Sequence, residues 1–326
     1  MMLGGLQGVV LSLVLGAVVA VDQPANDRAN DLELRVTNLV PHFLSFHEET
    51  VAWEEMLREK RAAAEEEGDR VEELSPEALA RERRSLWDDH LGDLAPLLRR
   101  GGQGRWEPRG LEEAWTRYSR EMSRLQQAAS QGLATDPAPI LHEVGAALRL
   151  DQPLSVELIL YVGTFQESPA FRLDGGEYAI LLPMEEDPAP LTPVLSDLFT
   201  RAVHARLSGR PSEGRLSVAQ HLFLRGLALR VHEAIRPGRS AEEYLLRPRS
   251  WLLSAEQRDG AVLDRYRGAL TEREPETVAP LLEGEFDYAA WRVSGLLLMD
   301  GWTLERLARV PEGEVDGLVS GILGMN

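Results

Sequence analysis

The chain has 326 residues, 44% of them hydrophobic, which is enough for a sizeable core and excludes a disordered polymer. Its 35 basic and 53 acidic residues leave a net charge of −18, which disfavours nucleic acid and anionic lipid as partners and favours neutral or basic ones. No cysteine is present, so disulfides, thiolate nucleophiles, thiolate metal sites and lipid-modified cysteines are excluded.

Met1 to Ala20 has the form of a secretion signal, with an apolar run from Val9 to Val19 and small residues before Val21, although no Lys or Arg precedes the run. The run is short for a membrane span, so the expectation is export with cleavage and no stable insertion afterwards, with a membrane-anchored or cytoplasmic chain as the alternatives. From Leu32 to about Arg100 the pattern is helical: Leu39, Val40, Phe43, Leu44 and Phe46 mark a first apolar face, and Ser75-Pro76 is a helix start. Gly101–Gly104 breaks this region, a further helical stretch covers Leu111 to Ala129, and the loop Thr135–Pro139 closes it. The division expected is 1–20 as signal, 21–135 as a helical N-terminal region and 136–326 as an α+β domain.

Beyond residue 136, Val156–Val162 and Tyr178–Leu182 are rich in strand formers, and Phe171–Gly176 between them predicts a hairpin turn. Two helices joined by Ser208–Ser212 follow. The first starts at Thr192-Pro193; the second starts at the capping box Ser217–Gln220 and is stopped by Pro237-Gly238. Further capping boxes are read at Ser240–Glu243 and Ser254–Gln257, the latter opening a helix to Leu270. Helices are then expected over Tyr288–Met299, near Thr303–Leu307 and over Glu314–Val319. On the first paired helix Ser196, Thr200 and His204 form a line four residues apart, and on the second His221, Arg225, Ala228 and His232 share a face.

Two polar lines facing each other across an antiparallel helix pair are how zinc hydrolases build a site, with His-Glu-x-x-His on one helix and a Glu on the other. The runs PVLSDLFTRAVHARLSG and QHLFLRGLALRVHEAIRPG resemble the bacterial secreted zinc metallopeptidases of the gluzincin type. The resemblance implies a predominantly helical α+β, zincin-like fold: paired helices beside a small antiparallel or mixed sheet whose edge strand takes up extended peptide. Carried across residue by residue, the first ligand position is Ser196, the general base Asp197, the second ligand Thr200 and the third ligand Arg225; Leu198 and Phe199 fill the intervening positions, and Tyr288 stands for a tyrosine on a later helix.

All three metal ligands are therefore replaced. Hydroxyls are poor zinc donors at neutral pH, and Arg225 would set a fixed cation where the metal's charge belongs. Pairing of that guanidinium with Asp197 follows as an expectation. Every basic residue except Lys60 is arginine, however, so an arginine at any one position is weakly informative. The function implied is a catalytically inactive metallopeptidase-like protein that keeps a peptide- or protein-binding cleft and uses no cofactor. One alternative is an active hydrolase working through Asp197, or through a shifted zinc site at His204 and His221 with Glu213 or Asp197 as a third donor. A Ser196 nucleophile needs a histidine in reach, and His204 lies over roughly 10 Å along the helix. The other alternative is a helical interaction protein unrelated to peptidases. The pairs His47-Glu48, His142-Glu143 and His232-Glu233 lack a histidine three residues on and read as surface pairs.

Overall fold

A computed structural model describes residues 32–67, 133, 135–161, 170–172, 177–183, 191–209 and 215–324, with isolated helical positions at 81, 85 and 89. The signal-like segment, Ser75-Pro76, Gly101–Gly104, the stretch Leu111–Ala129 and Glu213 lie outside these residues. The chain is predominantly helical. Its sheet contains β1 (Leu32–Asn38), β2 (Leu154–Tyr161), β3 (Ala170–Arg172) and β4 (Tyr178–Pro183), in the order β1-β2-β4-β3.

The sheet departs from expectation in two ways. Leu32–Asn38, read as the start of a helix, is a strand, and it pairs in parallel with β2. Leu32, Leu34 and Val36 alternate with Glu33, Arg35 and Thr37, which is the period of a strand rather than a helix. A boundary near residue 135 therefore does not separate the sheet from the N-terminal region, because one of its strands comes from there. The second departure concerns the hairpin expected between Val156–Val162 and Tyr178–Leu182: β2 and β4 run parallel, as do β1 and β2, and only three-residue β3 runs antiparallel, at the edge beside β4. Arg172 stands opposite Tyr178, so the segment predicted as a hairpin turn connects β3 to β4 rather than β2 to β4; its residues 173–176 lie outside the described ones. β2 is buried on both faces, through Leu154, Val156 and Leu158 to Leu160, as a central parallel strand must be.

Asn38 ends β1 and caps α1 (Val40–Glu67), its side-chain oxygen accepting from the Val40 amide at 3.0 Å. α2 (Ala138–Ala147), absent from the sequence reading, buries Ile140, Leu141 and Val144. β4 leads towards α3 (Leu191–Ser208), which rests on β2, β3 and β4. Gly209 follows with φ +101°, a left-handed turn that glycine adopts without strain.

α4 (Val218–Ile235) is the central helix and touches α2, α3 and the later helices α9, α10 and α11. Its capping box forms as read: Gln220 N donates to Ser217 Oγ at 3.1 Å and Ser217 N to Gln220 Oε1 at 2.8 Å. α5 (Ala241–Leu245) starts where Ser240 N donates to Glu243 at 2.8 Å. Ser254 opens nothing: it lies inside α6 (Arg249–Gln257), and the next helix, α7 (Asp259–Arg267), starts after it. α8 (Pro275–Val278), α9 (Phe286–Met299), α10 (Leu304–Ala308) and α11 (Glu312–Ile322) complete the chain. Among the described residues no helix is long and apolar enough to cross a membrane.

α4 and α9 approach closely because Gly226 lets them. A Cβ there would stand 2.4 Å from the Ala290 carbonyl oxygen and 2.9 Å from Ser294 Cβ. This backbone contact fixes how side chains one residue earlier on α4 reach the start of α9.

Candidate functional site

α3, α4 and α9 meet where Asp197, Arg225 and Asp287 project. Arg225 donates Nε to Asp287 Oδ1 at 2.8 Å and Nη1 to Asp197 Oδ1 at 3.3 Å, so one guanidinium ties three helices. Arg201, one turn beyond Asp197, donates Nε to its other oxygen at 3.0 Å. Arg247, between α5 and α6, sits 3.7 Å from Asp287 Oδ2. The result, among the described residues, is an alternating line, Arg201, Asp197, Arg225, Asp287, Arg247, with one cation in excess. Its middle is mostly buried: the side chains of Asp197 and Arg225 are 15% and 23% exposed.

Both inner charges are locked on. Burial acts to raise the Asp197 pKa, but the Arg201 and Arg225 charges outweigh it and hold the carboxyl below the usual carboxylate range. Burial likewise disfavours the Arg225 cation, and Asp197 and Asp287 reverse that effect, raising its pKa. A general base works best with a pKa near neutrality, so Asp197 is tuned away from that role.

Ser196 and Thr200 are both fully buried, and neither hydroxyl has a hydrogen-bond partner among the described residues. Ser196 therefore has no base attached. Tyr288 is buried too, but its hydroxyl donates to Asp259 Oδ1 at 2.9 Å, and Asp259 in turn takes two bonds from Arg292, at 2.8 and 3.0 Å. Tyr288 thus belongs to a separate cluster joining α7 to α9, where burial and the Asp259 bond raise its pKa.

The histidines serve packing. His204 is buried with Nδ1 3.0 Å from the Ala308 carbonyl, so Nδ1 carries the proton and donates. Its ring lies 5.6 Å from that of Phe223, and burial lowers its pKa to about 4 despite the opposing effect of the Ala308 bond. His221 is buried on α4. His232, read as part of a surface pair, is 2% exposed, with the Tyr244 ring edge-on at 5.6 Å. Burial first, then the charges of Arg239, Arg236 and Arg225, hold His232 at about 4. Its neighbour Glu233 pairs with Arg230, and Glu143 with Arg236.

The donor set does not fit zinc. Two uncharged hydroxyls and a carboxylate already held by two guanidinium groups offer no imidazole or free carboxylate, and a fixed cation sits among them. Among the described residues no group of three His, Asp or Glu side chains could hold a metal ion. Sequence reasoning missed Arg201, Asp287 and Arg247. The first was legible as the i+4 partner of Asp197; the other two come from segments whose position no local pattern reveals. Comparisons with protein-family models, with curated proteins and with solved structures find no match.

Proposed function

We propose that the chain is a catalytically inactive, metallopeptidase-like protein that acts by binding a peptide or protein segment. The observation that carries the reading is the position of Arg225. On the helix opposite Asp197, where the resemblance places a metal ligand, its guanidinium holds one carboxylate from α3 and one from α9. Support also comes from the order of elements: a small sheet with a short antiparallel edge strand directly precedes α3, as a strand-adding cleft requires. Hydrolysis through Asp197 is disfavoured because two arginines hold its proton affinity low. The reading is compatible with an exported protein.

Two measurements test it together. The purified protein, exposed to equimolar zinc and desalted, is expected to retain well under one equivalent by elemental analysis and to leave unstructured peptide substrates uncut. The reading is overturned by near-unit zinc together with hydrolysis that disappears in Asp197→Asn.

A further inference from the structure

The charged line at the junction of α3, α4 and α9 is more than a helix clamp, because its cations have bonds to spare. Among the described residues no hydrogen bond uses Nη1 or Nη2 of Arg201, Nη2 of Arg225 or any side-chain nitrogen of Arg247. Among the described residues three guanidinium groups face two carboxylates, which leaves one positive charge without a paired carboxylate there, in a chain whose net charge is −18. Arg247 is the most accessible of the three, its side chain 43% exposed against 22% for Arg201 and 23% for Arg225.

Two further observations point the same way. Leu246 holds φ +53°, a left-handed conformation unfavourable for a branched side chain, and there the Arg247 amide bonds back to the Glu242 carbonyl at 3.0 Å. The turn thus fixes Arg247 beside Asp287, and its guanidinium lies 5.3 Å from the centre of the Trp251 ring. Beside the burial of His232 on α4, the charges of Arg239, Arg236 and Arg225 also act to lower its pKa.

We infer that Arg201, Arg225 and Arg247 form a receptor for a carboxylate carried by a peptide or protein partner. The inference rests on the peptide-binding reading above and names the partner's anchoring group. Asp197 and Asp287 pre-align the guanidinium groups, and the unused N–H groups then donate to the incoming carboxylate in the bidentate manner that arginine favours. The carboxylate can come from a chain terminus or from a Glu or Asp side chain. Local charge therefore selects an anchor opposite in sign to the basic partners that the overall balance favours.

The test uses the whole protein and fluorescently labelled pools of random neutral hexapeptides in four forms: C-terminal acid, C-terminal amide, and the amide carrying one internal Glu or one internal Gln. Binding is followed by anisotropy at low and moderate salt. The acid or the Glu pool is expected to bind roughly tenfold more tightly than its uncharged counterpart, and which of them does so identifies the source. Arg247→Gln, on an exposed side chain, is expected to remove most of that preference; Arg201→Gln checks the other end. Equal binding of all four pools, or a preference untouched by both substitutions, overturns the inference while peptide binding stands. If no pool binds, the inference falls together with the reading it rests on.

Discussion

Replacing Arg225 by methionine removes the charge and hydrogen bonds while keeping an unbranched stem to fill the space between α3, α4 and α9. Two charge-assisted bonds are lost, at 2.8 Å to Asp287 and 3.3 Å to Asp197. Each such bond contributes about 1.5–3 kcal/mol, and a buried carboxylate left wholly unpaired costs about 3–5 kcal/mol. Neither carboxylate is wholly orphaned here, since Asp197 keeps Arg201 at 3.0 Å and Asp287 keeps Arg247 at 3.7 Å. The longer of the lost bonds also counts at the lower end. The expected loss is therefore about 2–3 kcal/mol, measured by urea unfolding at pH 7 with the slope unchanged. Double-mutant cycles with Asp197→Asn and Asp287→Asn should give the larger coupling to Asp287, the closer partner. A loss under about 0.5 kcal/mol, or no coupling in either cycle, would refute the account of Arg225 as the tie between three helices.

Gly226→Ala should destabilise by about 1–3 kcal/mol, because the new methyl meets the Ala290 backbone rather than a side chain that can swing aside; the same urea titration measures it. Thr200→Val is expected to be neutral or stabilising by up to about 1 kcal/mol, since it removes a buried hydroxyl without a partner; a clear loss would show that the hydroxyl is bonded. His204 and His232 both have folded pKa values near 4, below the unfolded value of 6.5, so their contribution is fully present above pH 6.5 and is lost as pH falls towards 4. Each can remove up to about 3 kcal/mol over that window, and unfolding at pH 7.5, 5.5 and 4.5 should become less pH-dependent in His204→Gln and in His232→Gln.

Much of the region after residue 150 is legible from local signals: the existence of α3 and α4, the Ser217–Gln220 box and strands β2 and β4 follow from caps, turn residues and apolar spacing, although α3 starts at Leu191, before the cap read at Thr192. The misses share a cause. Leu32–Asn38 alternates like a strand but is followed directly by a helical face, and its pairing partner lies more than a hundred residues on, so only long-range contact separates it from α1. Ile140, Leu141, Val144 and Leu148 have helical spacing, but the stretch is a bare ten residues between a proline-rich loop and a strand, too short for periodicity alone to mark a helix. Strand direction is unreadable from β2 and β4 alone, because it depends on where the chain between them runs. At the site, Asp197 and Arg225 could be placed opposite each other from helix geometry. Asp287 could not, because its arrival depends on the absence of a side chain at Gly226.

The same geometry bears on why the junction is charged at all. Partly buried ions lose hydration that their mutual attraction barely restores, and apolar residues of similar volume commonly hold helices together as well or better. Joining α3, α4 and α9 therefore does not by itself call for five charged side chains. Nor does an ion clamp call for a third cation, since two carboxylates are neutralised by two. The surplus arginine, held in place by a left-handed turn at Leu246 that works against its own side chain, is the part that helix packing leaves unexplained. A site that must present guanidinium N–H groups in fixed directions does call for it: aspartates orient the inner groups, and the outer one stays open to a partner's anion. On the inference proposed above, the excess charge among the described residues, more than the Arg225–Asp197 pair, is what would make this helix junction a binding surface.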